Sequence, residues 1–283
     1  MAMNRADLHT HTTASDGLLT PAGVVQRAYG AGLAAVAITD HDTMAGIEEA
    51  LQEGQRIGIT VVPGVEISTS WDGQDIHMLG YYPDWRQDRW QERLSGLREG
   101  RTLRNERIVA RLQQLGLSVT MAEVHQTAGK TGSDETVGRP HIAAVLMEKG
   151  FVGSMAEAFD RYLASGAAAY VAVPKVTPLE AMEWIREAGG ISVLAHPGLY
   201  GDDRLIEPLI QAGLCGIETS HPDHSLEQEA GYRLLAERHG LIMTGGSDFH
   251  GERRGVVFHG EIGSRTVDAQ VAAQLGRARR RGP

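Results

Sequence analysis

The sequence predicts an α/β fold, a (β/α) barrel that is incomplete or distorted and is broken by one helical insertion. Three observations point to it. Seven short apolar runs stretch from residue 6 to residue 244, each continuous enough for a strand buried on both faces, as parallel strands are. Helix-start signals lie between them. Residues 83–173 abandon the alternation for charged, helical patterning. Strands alternating with helices in this way suit a barrel.

The elements follow in order. Ala6-Asp7-Leu8-His9 is the first strand, Leu33 to Thr39 (LAAVAIT) the second and Ile59 to Ile67 (ITVVPGVEI) the third. Thr20-Pro21 opens the helix after the first strand with a capping hydroxyl and a proline at the first helical position, and Gly32 stops it. Ile76 to Tyr82 (IHMLGYY) is the fourth strand. An amphipathic, Arg-rich helix from about Trp90 to Leu115 then opens the insertion. Thr120 and Ser154, each followed three residues later by Glu, begin further helices. Gly129 to Gly138 is a polar loop between them. Thr177-Pro178-Leu179-Glu180 starts the helix that leads into the fifth strand, Gly190 to Ala195. Leu214 to Thr219 is the sixth, Ser225 to Gln228 caps the next helix, and Leu241 to Thr244 is the seventh. The predicted organisation is a barrel from residues 1–82 and 174–283, with 83–173 inserted over its mouth.

Composition narrows the class. An apolar fraction of 42% over 283 residues supports a sizeable core. A net charge of -9 disfavours a protein that coats nucleic acid. The C-terminal Arg277, Arg279, Arg280 and Arg281 read as a solvated, frayed tail. The single cysteine, Cys215, lies in an apolar run and is expected to be a buried structural thiol in a reducing compartment. No apolar leader precedes the first strand and no run reaches the length of a membrane span, so cytoplasmic residence is the expectation.

The ionisable residues fall where the strands end. His9 and His11 close the first strand, two apart, so both imidazoles face one way. Asp16 follows in the next loop. His41 ends the second strand, Glu66 the third, His77 lies in the fourth, and His196 ends the fifth. Asp248 and His250 follow the seventh with the same spacing of two. The carboxyl ends of barrel strands form one rim. Six imidazoles and three carboxylates packed there without partners would be costly. Divalent ions remove that cost, because they bind neutral imidazole nitrogens and ionised carboxylates. Nine donors exceed the needs of one four-coordinate ion, so two to three ions sharing a carboxylate are expected. The thiolate-free donor set suits Mn, Zn or Fe. Asp40 reads as an acceptor orienting a ligand, and Asp42 as a helix N-cap.

The motifs DLHTHTTASDG (Asp7 to Gly17), TDHDT (Thr39 to Thr43), PGVEIS (Pro63 to Ser68), IHMLGY (Ile76 to Tyr81), AHP (Ala195 to Pro197) and GSDFH (Gly246 to His250) resemble, in order, those of the PHP (polymerase and histidinol phosphatase) superfamily. The resemblance implies a distorted (β/α)7 barrel around a trinuclear metal site. It implies that His9, His11, Glu66 and Asp248 hold one ion, that Glu66 bridges to a second held by His77 and His196, and that Asp16, His41 and His250 hold the third. The insertion resembles the capping subdomain of stand-alone members, and Gly138-Arg139-Pro140-His141 is similar to the segment that sets an Arg over the substrate phosphate. Some relatives release the 3'-phosphate of nucleoside 3',5'-bisphosphates. Others trim short 5'-phosphorylated RNA or DNA.

The expected chemistry is therefore metal-assisted hydrolysis of a small phosphate ester of a nucleotide. Arg139 is the candidate for a bidentate phosphate contact, its planar fork matching two oxygens. Lys175 is expected to reach the mouth. His221, after the sixth strand, is a candidate proton donor or phosphate ligand. His125, His141, His239 and His259 are off the strand ends and are expected to be structural. The competing readings are a 5'-3' exonuclease on short oligonucleotides and a non-catalytic metal-binding regulatory or nucleic-acid module.

Overall fold

A computed structural model describes residues 4–129, 136–253 and 255–281. Eight strands form one sheet in the order β10-β1-β2-β3-β4-β5-β6-β7. They are β1 (Arg5–Asp7), β2 (Ala35–Ile38), β3 (Thr60–Trp71), β4 (Gln74–Tyr81), β5 (Ile191–Leu194), β6 (Gly216–Ser220), β7 (Ile242–Gly245) and β10 (Val267–Asp268). A two-stranded ribbon, β8 (Glu252–Arg253) and β9 (Val256–Val257), stands apart from it. The fold is a nearly closed α/β barrel, as expected from the alternation.

One expectation needs correcting. The seven predicted strands were read as parallel, yet β4 runs antiparallel to both β3 and β5. The reason is the turn at Asp72-Gly73. Both residues have positive φ, 48° and 79°, the conformation of a type I′ hairpin turn. Two residues cannot carry the crossover that a parallel pair needs. An eighth strand, β10, was not expected. It pairs antiparallel with the outer edge of β1.

The barrel closes above β10 through backbone contacts between the segments that follow β1 and β7. Leu8 N–H donates to Gly245 O at 3.1 Å, Asp248 N–H to His9 O at 2.9 Å, and His11 N–H to Phe249 O at 2.9 Å. Gly246 permits this approach, because a Cβ there would lie 2.4 Å from His9 N. The closure brings the HxH and SDFH motifs side by side at one end of the barrel.

Helices α1 (Pro21–Gly30), α2 (Ile47–Ile57), α7 (Pro178–Glu187), α8 (Ile206–Gln211) and α9 (Leu226–His239) cover the sheet. Their caps are those the sequence signals. Thr20 accepts from Gly23 N–H, and Thr177 with Glu180 and Ser225 with Gln228 form capping boxes. Apolar side chains including Leu8, Ala37, Leu79, Tyr81 and Val193 fill the barrel, and Ala272 and Leu275 of α10 (Gln270–Arg281) pack against this cluster. The C-terminal arginines were expected in a frayed tail. They instead belong to α10, whose apolar face packs on the barrel, while Arg277 and Arg279 are exposed. Cys215 is half-buried rather than buried, because only part of its side chain packs on the barrel cluster.

The insertion is helical. It comprises α3 (Asp88–Gln114), α4 (Met121–Ala128), α5 (Arg139–Glu148) and α6 (Met155–Ala158), which continues into a π-helical turn at Phe159–Leu163. Its core gathers Ile108, Leu112, Val124, Ile142 and Leu146. The 27-residue α3 spans two cores: Trp90 and Leu94 pack with the barrel helices, whereas Ile108 and Leu112 pack with α4 and α5. The middle of the predicted polar loop, residues 130–135, lies outside the described residues. No described helix is long and apolar enough to cross a membrane.

Candidate metal centre

Glu66 sits at the middle of the cluster. Its Oε2 lies 3.4 Å from His9 Nε2, 3.1 Å from His11 Nε2 and 3.1 Å from His41 Nδ1. Its Oε1 lies 2.8 Å from His77 Nδ1 and 2.9 Å from His196 Nε2. Asp248 Oδ1 adds contacts to His9 and His11 at 3.3 and 3.1 Å. Asp16 approaches His11, His41 and His250 at 3.7, 3.9 and 3.4 Å. All nine sequence candidates therefore meet at one end of the barrel. Eight of them form overlapping sets, His9/His11/Glu66/Asp248, His11/Asp16/His41/His250 and His41/Glu66/His77, each within 4.8 Å internally, and His196 joins through Glu66. A further set joins His221, Asp248 and His259.

The contacts are of the kind that cations between the donors would explain. Asp16 Oδ1, Asp248 Oδ1, His41 Nδ1 and His77 Nδ1 are buried and make no hydrogen bond. His41 and His77 nevertheless lie within 3.1 Å of a carboxylate oxygen, close but without hydrogen-bond alignment. His9 and His11 bring their Nε2 atoms to 3.3 Å of each other. With His9 Nδ1–H given to Glu218, a proton or a cation must lie between the two Nε2 atoms. Electrostatics agree. Burial opposes charge on His11, but Asp248 and Glu66 pull its imidazole up to about 10, and His9 is raised by the same carboxylates and Glu218. Burial likewise opposes the charge on Glu66, and His77, His41 and His9 outweigh it and hold the carboxyl well below its usual range. A divalent ion would take the place of those protons. The donor set fits such ions.

Neighbouring groups orient the donors. Glu218 accepts from His9 Nδ1 at 3.2 Å and from His196 N–H at 2.8 Å. Asp40 accepts from Thr12 and Ser15, and Ser15 Oγ lies 3.4 Å from His11 Nδ1, consistent with its expected orienting part. His77 N–H donates to Tyr200 Oη at 2.9 Å. His196 and Asp248 have positive φ, 23° and 50°, a strain commonly found at functional sites.

Asp42 differs from expectation. It caps no helix, since α2 begins after Gly46. Its buried carboxylate accepts from Ser68 N–H at 2.8 Å and pairs with Arg101 Nη2 at 2.5 Å. This pair pins α3 to the rim.

The cavity over the centre is about 230 Å³ and is also lined by Arg101, Arg104, Arg139 and Lys175. Arg139 and Lys175 both grip Asp75, at 2.8 and 2.6 Å. Burial lowers the Lys175 ammonium to about 8 despite that carboxylate, with Arg104 and Arg139 adding repulsion.

His221 and His259 exchange expectations. His221 is fully buried behind Asp248: Nε2 lies 3.3 Å from Asp248 Oδ2, and Nδ1 accepts from Asp223 N–H at 3.2 Å. With both nitrogens engaged it does not line the cavity. His259, expected to be structural, does line it, with Nδ1 2.5 Å from Asp223 Oδ2 and Nε2 3.5 Å from Asp248 Oδ2. Strand-end position could not find His259, which follows the β8–β9 ribbon. The same rule would have found Glu218, which lies in the sixth strand. His141 accepts from Gly138 N–H at the start of α5, and His224 from Gly198 N–H.

The chain is 37% identical to a 3',5'-nucleoside bisphosphate phosphatase from Chromobacterium violaceum, over 89% of this chain and 90% of that one. It is 37% identical to the 5'-3' exoribonuclease Rnm of Escherichia coli, over 86% and 84%. Among solved structures, an amidohydrolase from Chromobacterium violaceum with bound sulfate and no metal superposes with a TM-score of 0.85 at 34% identity, covering 96% of both chains. A candidate metal-dependent phosphoesterase from Bifidobacterium adolescentis gives 0.88 at 32%, again over 96% of both. The PHP domain model matches residues 7–188, and this chain belongs to the PHP domain family.

Proposed function

We propose that the protein is a metal-dependent phosphoesterase that releases phosphate from nucleotide phosphomonoesters, such as the 3'-phosphate of nucleoside 3',5'-bisphosphates. The observation that carries this reading is one cavity lined both by a cluster of metal donors and by Arg101, Arg104, Arg139 and Lys175. A phosphate ester needs both, one for the reacting group and one for its charge.

His9, His11, Asp16, His41, Glu66, His77, His196, Asp248 and His250 would hold two to three ions, with Mn, Zn or Fe suited to their N/O set. Bound there, the ions would supply a hydroxide nucleophile near neutral pH and offset charge on the phosphate oxygens. The chain's own groups do the rest. Arg139, held by Asp75 and by the Leu163 carbonyl, would turn its planar fork to substrate phosphate oxygens. Lys175, protonated below about pH 8, adds a compact positive charge. His259 lines the cavity with Nδ1 against Asp223 and Nε2 3.5 Å from Asp248 Oδ2, a position from which it would deliver a proton to the leaving oxygen. His221 holds Asp248 in position from behind.

Exonuclease action on short 5'-phosphorylated oligonucleotides is the second reading, supported by the equal 37% identity to Rnm. A panel of nucleoside bisphosphates, short 5'-phosphorylated oligonucleotides and histidinol phosphate, assayed with metal-loaded protein, tests both. Inorganic phosphate from the bisphosphates supports the first reading, and mononucleotides from the oligonucleotides support the second. Release from neither overturns the proposal. In the same assay Arg139→Ala is expected to raise KM for phosphate esters by about tenfold. An unchanged KM would remove Arg139 from substrate binding.

A further inference from the structure

Thr136 stands where the insertion touches the metal centre. It is 3% exposed and belongs to the short segment that leads into α5. Its hydroxyl donates to His41 O at 2.9 Å, and its backbone N–H donates to Ala14 O at 2.9 Å. The strand contact at His41 uses the groups on either side of that carbonyl: Glu66 N–H donates to Asp40 O, and Asp42 N–H donates to Glu66 O. His41 O lies outside this pair, and the Thr136 hydroxyl meets it. Ala14 sits two residues before Asp16, in a loop that Asp40 holds through Thr12 and Ser15. One residue of the insertion therefore holds His41 directly and the Asp16 loop beside it. The donor atoms His41 Nδ1 and Asp16 Oδ1 are buried without a hydrogen bond, so their positions depend on the backbone that carries them.

The two residues that follow are fixed by the insertion itself. Val137 O accepts from Asn105 Nδ2 of α3 at 2.7 Å, and Asn105 is buried. Gly138 N–H donates to His141 Nδ1 in the first turn of α5 at 3.0 Å. Gly138 also passes close to the donors: a Cβ there would lie 3.4 Å from Arg101 Nη1 and 3.6 Å from Asp16 Oδ2. Arg139 comes next. A barrel contact, a helix of the insertion and the candidate phosphate ligand are thus joined in one short stretch. Three residues span at most roughly 10 Å, so a shift at one end is passed to the other.

We propose that Thr136 is a positioning residue that couples docking of the insertion to binding of the ion held by Asp16, His41 and His250. The inference rests on the metal-dependent reading given above. Thr136 is not itself a donor; it acts through His41 and the Asp16 loop. The coupling is reciprocal: the docked segment favours the ion, and the ion favours the docked segment. Arg139 is set in place by the same event, so the phosphate contact and this ion arrive together.

The test compares wild type with Thr136→Val, which keeps the shape and removes the hydroxyl, and Thr136→Ser, which keeps the hydroxyl. Each protein is stripped and titrated with Mn(II) against a chelator. Hydrogen exchange of residues 136–148 is followed with and without Mn(II). In wild type, Mn(II) is expected to slow that exchange. Thr136→Val should weaken one ion by about 10- to 100-fold, the usual worth of a contact that orients a metal ligand. It should leave the other ions unchanged and shrink the protection, and Thr136→Ser should restore both. Wild-type Mn(II) affinity in Thr136→Val overturns the proposal, and so does exchange in wild type that ignores Mn(II). Equal losses in Thr136→Val and Thr136→Ser, or weakening of every ion alike, mean a loosened fold and overturn it too. The two readings fail separately. If wild type releases phosphate from adenosine 3',5'-bisphosphate while Thr136→Val binds Mn(II) normally, the coupling alone is contradicted. Mn(II) binding without such release contradicts the phosphatase reading alone, and the titration still decides the coupling.

Discussion

Glu66 faces three imidazoles with one oxygen and two with the other, so under the proposed function it would be shared between ions. Loss of a donor at the edge of the cluster should cost activity more than stability. Asp16 stands in a loop, so Asp16→Ala is expected to lower turnover at least 100-fold while shifting Tm by no more than about 2 °C. Full turnover in the purified variant would remove Asp16 from the ligand set. Glu218 acts one step back, through His9 and His196. Glu218→Gln should weaken metal affinity by about 10- to 100-fold, read by competition with a chelator. Lys175 sets a pH dependence. Burial puts its ammonium near 8, so it is charged below that pH and neutral above it. KM for phosphate esters should rise as pH passes 8, and Lys175→Met should flatten that limb. The nine donors were legible because each sits at the end of, in or just after an apolar strand. Arg104 was not, since an arginine in a charged helix reads as solvated until its neighbours are known.

At the level of elements, α3 ties the insertion to the rim. Arg98, Arg101 and Arg104 recur at a spacing of three and are all buried, so one face of a helix that looks polar in sequence points inward. The Arg101–Asp42 pair is almost fully buried, and breaking it leaves a carboxylate without its partner. Arg101→Met should destabilise the protein by about 3–5 kcal/mol, measured by urea unfolding. Replacing both partners by apolar residues should recover most of that loss. The hairpin between β3 and β4 was within reach of the sequence, because Asp72-Gly73 is a strong two-residue turn signal. The apolar runs on either side of it suggested parallel strands instead. β10 was out of reach: at two residues it has no periodicity to read.

Across the whole molecule, the fold turns a chain of net charge -9 into a local site where four cationic side chains share one cavity with the candidate metal donors. The barrel supplies the donors from its strand ends, and the insertion brings Arg101, Arg104 and Arg139 over them. Strand-end order made the donors readable, while the basic group depends on how helices from a separate core dock. The central claim is that this cluster of imidazoles and carboxylates works through divalent ions. It is tested most directly by stripping the protein with a chelator and titrating Mn(II) back while following phosphate release from adenosine 3',5'-bisphosphate. The account predicts no release from stripped protein and recovery that saturates at two to three ions per chain. Undiminished release in excess chelator would contradict it.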